Sequence, residues 1–135
     1  MDIGTEKADR IVNVGSAGNL YSLYSTAATL MGQRAKKVAL GLAFLEHGSC
    51  ASKDCAKTLK QLSEIKIVLE KHAPTEAVWD MEHPNILAPW NGHLSPDISS
   101  CADLYTTSEG ELLIGELVSL LQFAGSSKQS VVVLG

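Results

Sequence analysis

The stretch from Leu112 to Ala124 constrains the fold more than any other part of the chain. Leu112, Leu113, Ile114, Leu117, Val118, Leu120, Leu121 and Phe123 recur at helical spacing and cover nearly the whole circumference of the helix they would form. A helix that is apolar almost all round is stable only in an interior, packed on more than one side. The rest of the chain must supply the layers that wrap it. With 135 residues, 45% of them apolar, there is material for one domain spanning residues 1–135, with a core that needs neither disulfide nor metal.

The flanks of this helix carry local signals. Ser108, followed three residues later by Glu111, has the form of a capping box and predicts the helix start, and Gly125-Ser126-Ser127 predicts its end. Ala102–Thr107 before it and Ser130–Leu134 after it are β-rich, so the segment predicts strand, helix, strand joined by a right-handed parallel crossover. Arg10–Val14 is also β-rich and stops at Gly15-Ser16-Ala17-Gly18, a glycine-marked turn that lacks the lysine of a phosphate loop. The two β-rich ends can share one sheet.

Three more helices are predicted. The first runs roughly from Asn19 to Gly32, with Leu20, Leu23, Tyr24, Ala27, Leu30 and Met31 as its stripe. The second runs from Arg34 to Glu46, with Val38, Leu42 and Leu45 inward and His47-Gly48 at its end. The third is capped by Ser52 and ended by Pro74. It turns Leu59, Leu62, Ile65, Leu69 and His72 inward and Lys53, Lys57, Lys60 and Lys71 to solvent. The second and third form an antiparallel hairpin. The expected class is therefore α+β, with about four helices packed on a small mixed sheet that includes strands near both termini.

Charge is distributed unevenly. Residues 1–71 carry ten Lys or Arg against seven acids, residues 72–127 carry eight acids and neither Lys nor Arg, and Lys128 completes a formal net charge of −4. An acidic balance argues against nonspecific binding to nucleic acid or anionic membrane, which reward Lys and Arg. Three cysteines, with no apolar signal core in MDIGTEKADR, predict reduced thiols in the cytoplasm. His47, Cys50 and Cys55 have zinc-ligand types but no second matched pair, and read as a helix-end histidine and buried thiols.

Function is concentrated between Val78 and Gly110. The stretch holds both tryptophans, three of the four prolines and five acids. Prolines and Asn91-Gly92 forbid regular structure from His83 to Pro96, and a loop of that length in a small domain is usually functional. Trp79, beside Val78, reads as packing. Trp90, between Pro89 and Asn91-Gly92, reads as an exposed anchor of the kind that dominates interfaces. Candidate partner-binding residues are Asp80, Glu82, Trp90, Asn91, Asp97, Asp103 and Glu109. The alternative is a small hydrolase or transferase using Asp80, His83, His93 and Asp97 as acid–base groups, or a subunit-interaction module.

Several short motifs come in a familiar order. Val78-Trp79-Asp80-Met81-Glu82, Ala88-Pro89-Trp90-Asn91-Gly92, Ile98 and Tyr105-Thr106-Thr107-Ser108-Glu109-Gly110, with Leu23-Tyr24-Ser25-Thr26 in the first helix, resemble the bacterial immunity protein 70 family from about Gly15 onward. Asn91 between Pro89-Trp90 and Gly92, and Tyr24 in place of Phe, depart from that family's pattern. The resemblance implies a protein that binds and neutralises a cognate toxin domain from a polymorphic or contact-dependent growth-inhibition system, with no catalytic residues and no cofactor. Many such toxins are nucleases with basic clefts, which an acidic face would occlude. The sequence leaves the oligomeric state open.

Overall fold

Ser22, Ser25 and Thr26, three hydroxyl side chains on one side of the first helix, are buried, and this polar strip organises the architecture around it. The computed structural model describes residues 1–135 in the order β1 (Asp2–Thr5), β2 (Ile11–Asn13), α1 (Ala17–Met31), α2 (Ala39–His47), α3 (Cys55–Glu70), α4 (Cys101–Leu104), α5 (Leu113–Ser126) and β3 (Val131–Leu134). The class is α+β, as expected, with strands from both ends of the chain in one sheet.

The sheet has the order β2-β1-β3 and is antiparallel throughout, with Ile3 opposite Val12 on one side and Val133 on the other. The central strand, β1, carries no strong sequence signal because Asp2 and Gly4 are poor strand formers. Gly4 is required there: a Cβ would lie 2.6 Å from the Arg10 carbonyl oxygen and 2.8 Å from Leu134 Cδ1. Gln129, only 4% exposed, ties the β1–β2 turn to the C-terminal strand, accepting from the Lys7 amide at 3.0 Å and donating to the Asp9 carboxylate.

The parallel crossover expected over residues 102–134 does not form. Cys101–Leu104 is a helical turn rather than a strand, because Ser100 and Asp103 make a reciprocal capping box at its start. Helix α5 then begins at Leu113 instead of Ser108. Thr107, not Ser108, closes the intervening turn, its hydroxyl accepting from the amides of Glu109 and Glu111 at 3.3 and 3.2 Å. Gly110 in that turn has φ +86°, a conformation that ends regular structure and suits glycine.

Helix α5 is the centre of the core, as its composition demands. Leu113, Ile114, Leu117, Leu120, Leu121 and Ala124 are all buried, packed chiefly against α3 and touching all three strands. From α3 the buried residues are Cys55, Thr58, Leu62, Ile65, Val68 and Leu69, while Lys53, Lys57, Lys60 and Lys71 are exposed. Helix α2 is shorter than its sequence suggests, because residues 32–38 wind as tighter 3-10 turns after Gly32 ends α1 at φ +55°. Gly41 lets α2 approach α3 closely, and its amide donates to Gln61 Oε1 at 2.9 Å, satisfying one otherwise orphaned first-turn donor.

Helix α1 is capped by Ser16, whose hydroxyl accepts from the Asn19 amide at 3.0 Å. Its apolar stripe packs inward, but Ser22, Ser25 and Thr26 are equally inaccessible. The Tyr105 hydroxyl, 1% exposed as a residue, lies 2.8 Å from both Ser22 Oγ and Thr26 Oγ1. Ser22 Oγ donates to the Val78 carbonyl at 2.8 Å, and the Val78 amide donates back to Thr26 Oγ1 at 2.8 Å. The Met81 amide donates to Ser25 Oγ at 3.1 Å. No buried side-chain polar atom lacks a partner, so this strip is a completed network.

Two substitutions weigh this network. Thr26→Val keeps the side chain's shape but strands the Val78 amide, and is expected to lower unfolding free energy by about 2 kcal/mol; Tyr105→Phe, which leaves both α1 hydroxyls a partner, should cost about 1 kcal/mol. Urea titrations with unchanged slope measure both.

Candidate binding face

From Lys71 to Ser100 the chain has no strand and no helix beyond one 3-10 turn at Pro74–Glu76. It is ordered by two devices. One is the clamp on α1 described above. The other is a succession of tight turns, each closed by its own backbone hydrogen bond: His83 amide to Asp80 carbonyl (3.1 Å), Ile86 to His83 (3.0 Å), Asn91 to Ala88 (2.9 Å), His93 to Trp90 (2.8 Å) and Ile98 to Ser95 (3.2 Å). Proline and Asx residues favour such turns locally, so the same residues that forbid helix and strand supply order of another kind.

The aromatic side chains form the floor. Trp79 and Trp90 meet edge to face with centroids 5.5 Å apart, and Trp90 meets Tyr105 the same way at 5.7 Å, both near the favoured T geometry. Trp90 is therefore half-buried against the core and does not project as an anchor. Its ring is drawn inward because Tyr105, fixed by Ser22 and Thr26, offers a complementary edge. Trp79 is half-buried too, and lies over the first turn of α1, where a Cβ on Gly18 would come within 3.0 Å of its ring.

Over this floor lies a groove of about 310 Å³, lined by Pro74, Trp79, Ile86, Leu87, Trp90 and Leu94 among others. Ile86 and Leu87, 54% and 66% exposed, are the most exposed large apolar residues of the chain.

The acids fall into separate groups. The amides of Val78 and Met81 bond to α1 and hold the Asp80 segment beside that helix, and Glu46, near the end of α2, lines one cleft with Tyr21. Burial, and after it the carboxylates of Glu82 and Asp80, push the Tyr21 hydroxyl above its ordinary pKa; burial and then Glu46 and Glu82 do the same for Tyr24. The two tyrosine rings are 5.6 Å apart. Three distant segments thus converge into one acidic, tyrosine-bearing face. Burial opposes ionisation of Asp80, but the His83 ring at 3.1 Å and the Glu82 amide outweigh it and hold the carboxyl below its usual range.

Glu109 sits elsewhere, with Glu111 and Glu116 around a smaller cleft of about 160 Å³ beside β2. Asp97 and Asn91 are exposed on loop turns. Asp103 is occupied locally. Burial disfavours its charge, but the amides and hydroxyls of Ser99 and Ser100 all donate to its two oxygens and bring it down to about 2.

Among the residues considered for acid–base chemistry, Asp80 and His83 pair, whereas neither His93 nor Asp97 hydrogen-bonds to them. Cys55 is fully buried with its sulfur facing the Ala51 and Gln129 carbonyls, and burial drives its pKa up to about 12. No three His, Cys, Asp or Glu side chains gather closely enough to hold a metal ion, and no helix is long and apolar enough to cross a membrane.

Tyr21, Tyr24 and Glu46 escape a sequence reading. Tyr24 falls within the apolar stripe of α1, and nothing in the chain ties Glu46 to a loop more than thirty residues later. The exposed Ile86-Leu87 pair, set between Pro84 and Pro89, is the one signal that was there to be read.

In class, then, this is a small α+β protein whose two most exposed large apolar side chains, Ile86 and Leu87, stand on one long loop together with Asp80, Glu82 and Asp97. Residues 5–133 match the model of the immunity protein 70 family, nearly the whole chain, and the protein belongs to that family. It is accordingly an immunity protein of a toxin–immunity system, whose partner is a toxin. Neither the curated proteins nor the solved structures contain a match to the chain.

The Asp103 cap has a pH signature. A carboxyl held at about 2 in the fold, below its ordinary 3.8, contributes stability that is present above pH 4 and lost as pH falls towards 2. Melts of the parent should show that loss, Asp103→Asn should flatten it, and the variant should be about 1 kcal/mol less stable at neutral pH.

Proposed function

We propose that the protein neutralises a nuclease-type toxin domain by covering its active cleft with the face built from Asp80, Glu82, Glu46, Tyr21 and Tyr24. Asn91 and Asp97 extend that contact along the loop, and Glu109 marks an outlying acidic patch. The observation that carries the reading is the convergence of acids from α2 and the loop beside two tyrosines, in a chain whose residues 72–127 hold no Lys or Arg. A cleft built to bind phosphates is cationic. Carboxylates aligned against it speed encounter and take the positions of substrate phosphates. Tyrosines supply contact area at small cost in conformational entropy. The protein acts as a stoichiometric binder in the cytoplasm, without cofactor or catalytic step, and its toxin belongs to a contact-dependent growth-inhibition or related polymorphic system.

Co-expression with the toxin domain encoded beside it should yield a complex that co-purifies and suppresses toxicity. Reversing charge at Asp80, Glu82 and Glu46 together should weaken that complex at least a hundredfold and blunt its salt dependence, with the circular dichroism spectrum unchanged. Unaltered affinity in the folded variant would remove the acidic face from the mechanism.

A further inference from the structure

The loop's apolar groove is a separate feature from the acidic face, and its geometry reverses the role expected of Trp90. That ring, with Trp79, is a floor. We infer that the groove receives one large apolar side chain, aromatic or leucine-sized, from a segment of the partner flanked by Lys or Arg. This rests on the reading that the partner is a cognate toxin.

Four observations support a receiving site. Volume comes first: at about 310 Å³ the groove lies at the bottom of the range for ligand pockets, suited to a side chain rather than to a cofactor. Its walls are apolar and stand in solvent, with Ile86 at 54% and Leu87 at 66% exposure over half-buried indoles. Contiguous apolar surface of this kind on a small protein marks a contact site. The walls are also built in advance. Ile86 is pinned by its amide to the His83 carbonyl, and Asn91 and His93 are pinned to Ala88 and Trp90, so little ordering entropy is spent on binding.

The fourth observation selects the occupant. Thr75 and Ala77, in the lining, bracket the exposed Glu76, and Trp79 is followed by Asp80. No Lys or Arg occurs from His72 to Ser127 to offset these carboxylates. An apolar groove built from a segment, Pro74 to Leu94, that carries acids and no Lys or Arg discriminates in favour of an apolar residue between cations.

Both tryptophans of the chain line the groove, so their emission reports occupancy directly. In the complex with the toxin domain encoded beside it, the parent's indole emission should shift to the blue. Ile86→Ser with Leu87→Ser, on side chains too exposed to support the fold, should weaken binding about tenfold to a hundredfold. Thr75→Phe, which fills the groove from its rim, should do the same without removing any wall. Peptides give an arm independent of the toxin: Lys-Lys-Phe-Lys-Lys should perturb the emission, and Lys-Lys-Ala-Lys-Lys and Glu-Glu-Phe-Glu-Glu should not. A toxin complex that forms with full affinity in both groove variants and leaves the emission unchanged overturns the groove and leaves the immunity function standing. A toxin that is not bound at all, with the peptide still selected, overturns the functional reading instead. Concentration-dependent dimerisation in sedimentation velocity that disappears in Leu87→Ser would assign the groove to a second copy of the chain.

Discussion

One phenol hydroxyl holds together parts of the chain that have no other reason to meet. Tyr105 belongs to the short extended link between α4 and α5, Ser22 and Thr26 to α1, and Val78 to the start of the long loop. The hydroxyls of Ser22, Thr26 and Tyr105 each carry one proton; with Ser22 donating to the Val78 carbonyl, Tyr105 donates to Ser22 and Thr26 to Tyr105, so every member is satisfied and the network is cooperative. Their burial also sets the cost of failure. A hydroxyl or amide left alone in that interior costs more than the bond it replaced is worth. Burial pushes the Tyr105 hydroxyl up to about 12, against the lowering effect of Ser22 and Thr26, so it stays neutral and the network keeps its protons at any physiological pH.

The loop's order descends from that network. With Tyr105 fixed, its ring edge positions Trp90, and Trp90 positions Trp79 over Gly18. With Val78 fixed by two hydrogen bonds and Met81 by a third, the intervening Trp79-Asp80 has little freedom left. Thirty residues without regular structure would otherwise be expected to move. Here aromatic packing below and a series of closed turns above take the place of a helix or strand, and the acids of the loop inherit a fixed placement beside α1.

The interior of the fold was largely legible in the sequence, and the site was legible only in part. The apolar run in α5, the stripe in α3 and the β-rich ends follow from periodicity, because burial acts on the same spacing that the eye can count. Errors arose where two local signals competed. At Ser100–Thr107 the β-rich Tyr105-Thr106-Thr107 masks the Ser100/Asp103 cap, and the cap, which satisfies donors at once, prevails at the first four residues. At Ser108–Glu111 the capping-box pattern is present but Gly110 at φ +86° breaks the helix it would start. The acids Asp80 and Glu82 are visible in sequence as a charge asymmetry, while their neighbours Glu46, Tyr21 and Tyr24 come from α2 and α1. Tertiary convergence of that sort leaves no periodic trace. Trp90 illustrates the same limit: its flanking Pro89 and Asn91-Gly92 speak of a loop tip, and only the distant Tyr105 explains why the ring turns inward.

In the proposed mechanism, the acidic face and the apolar groove would divide the work of recognition between rate and residence. Long-range charge acts before contact, and residues 72–127, acidic without relief, give the approaching partner an orientation as well as an attraction. A groove floored by two indoles would act only after water has been expelled, and on the proposed reading would govern how slowly the complex separates. Placing both on one loop has a structural requirement: the loop must be rigid, or the entropy of ordering it would consume the gain from each contact. Buried hydroxyls on α1 are a costly way to build a helix in isolation. They are intelligible as the means by which a core helix fixes a surface loop, and on the proposed reading the polar strip of α1 belongs to the binding apparatus as much as the residues that would touch the toxin.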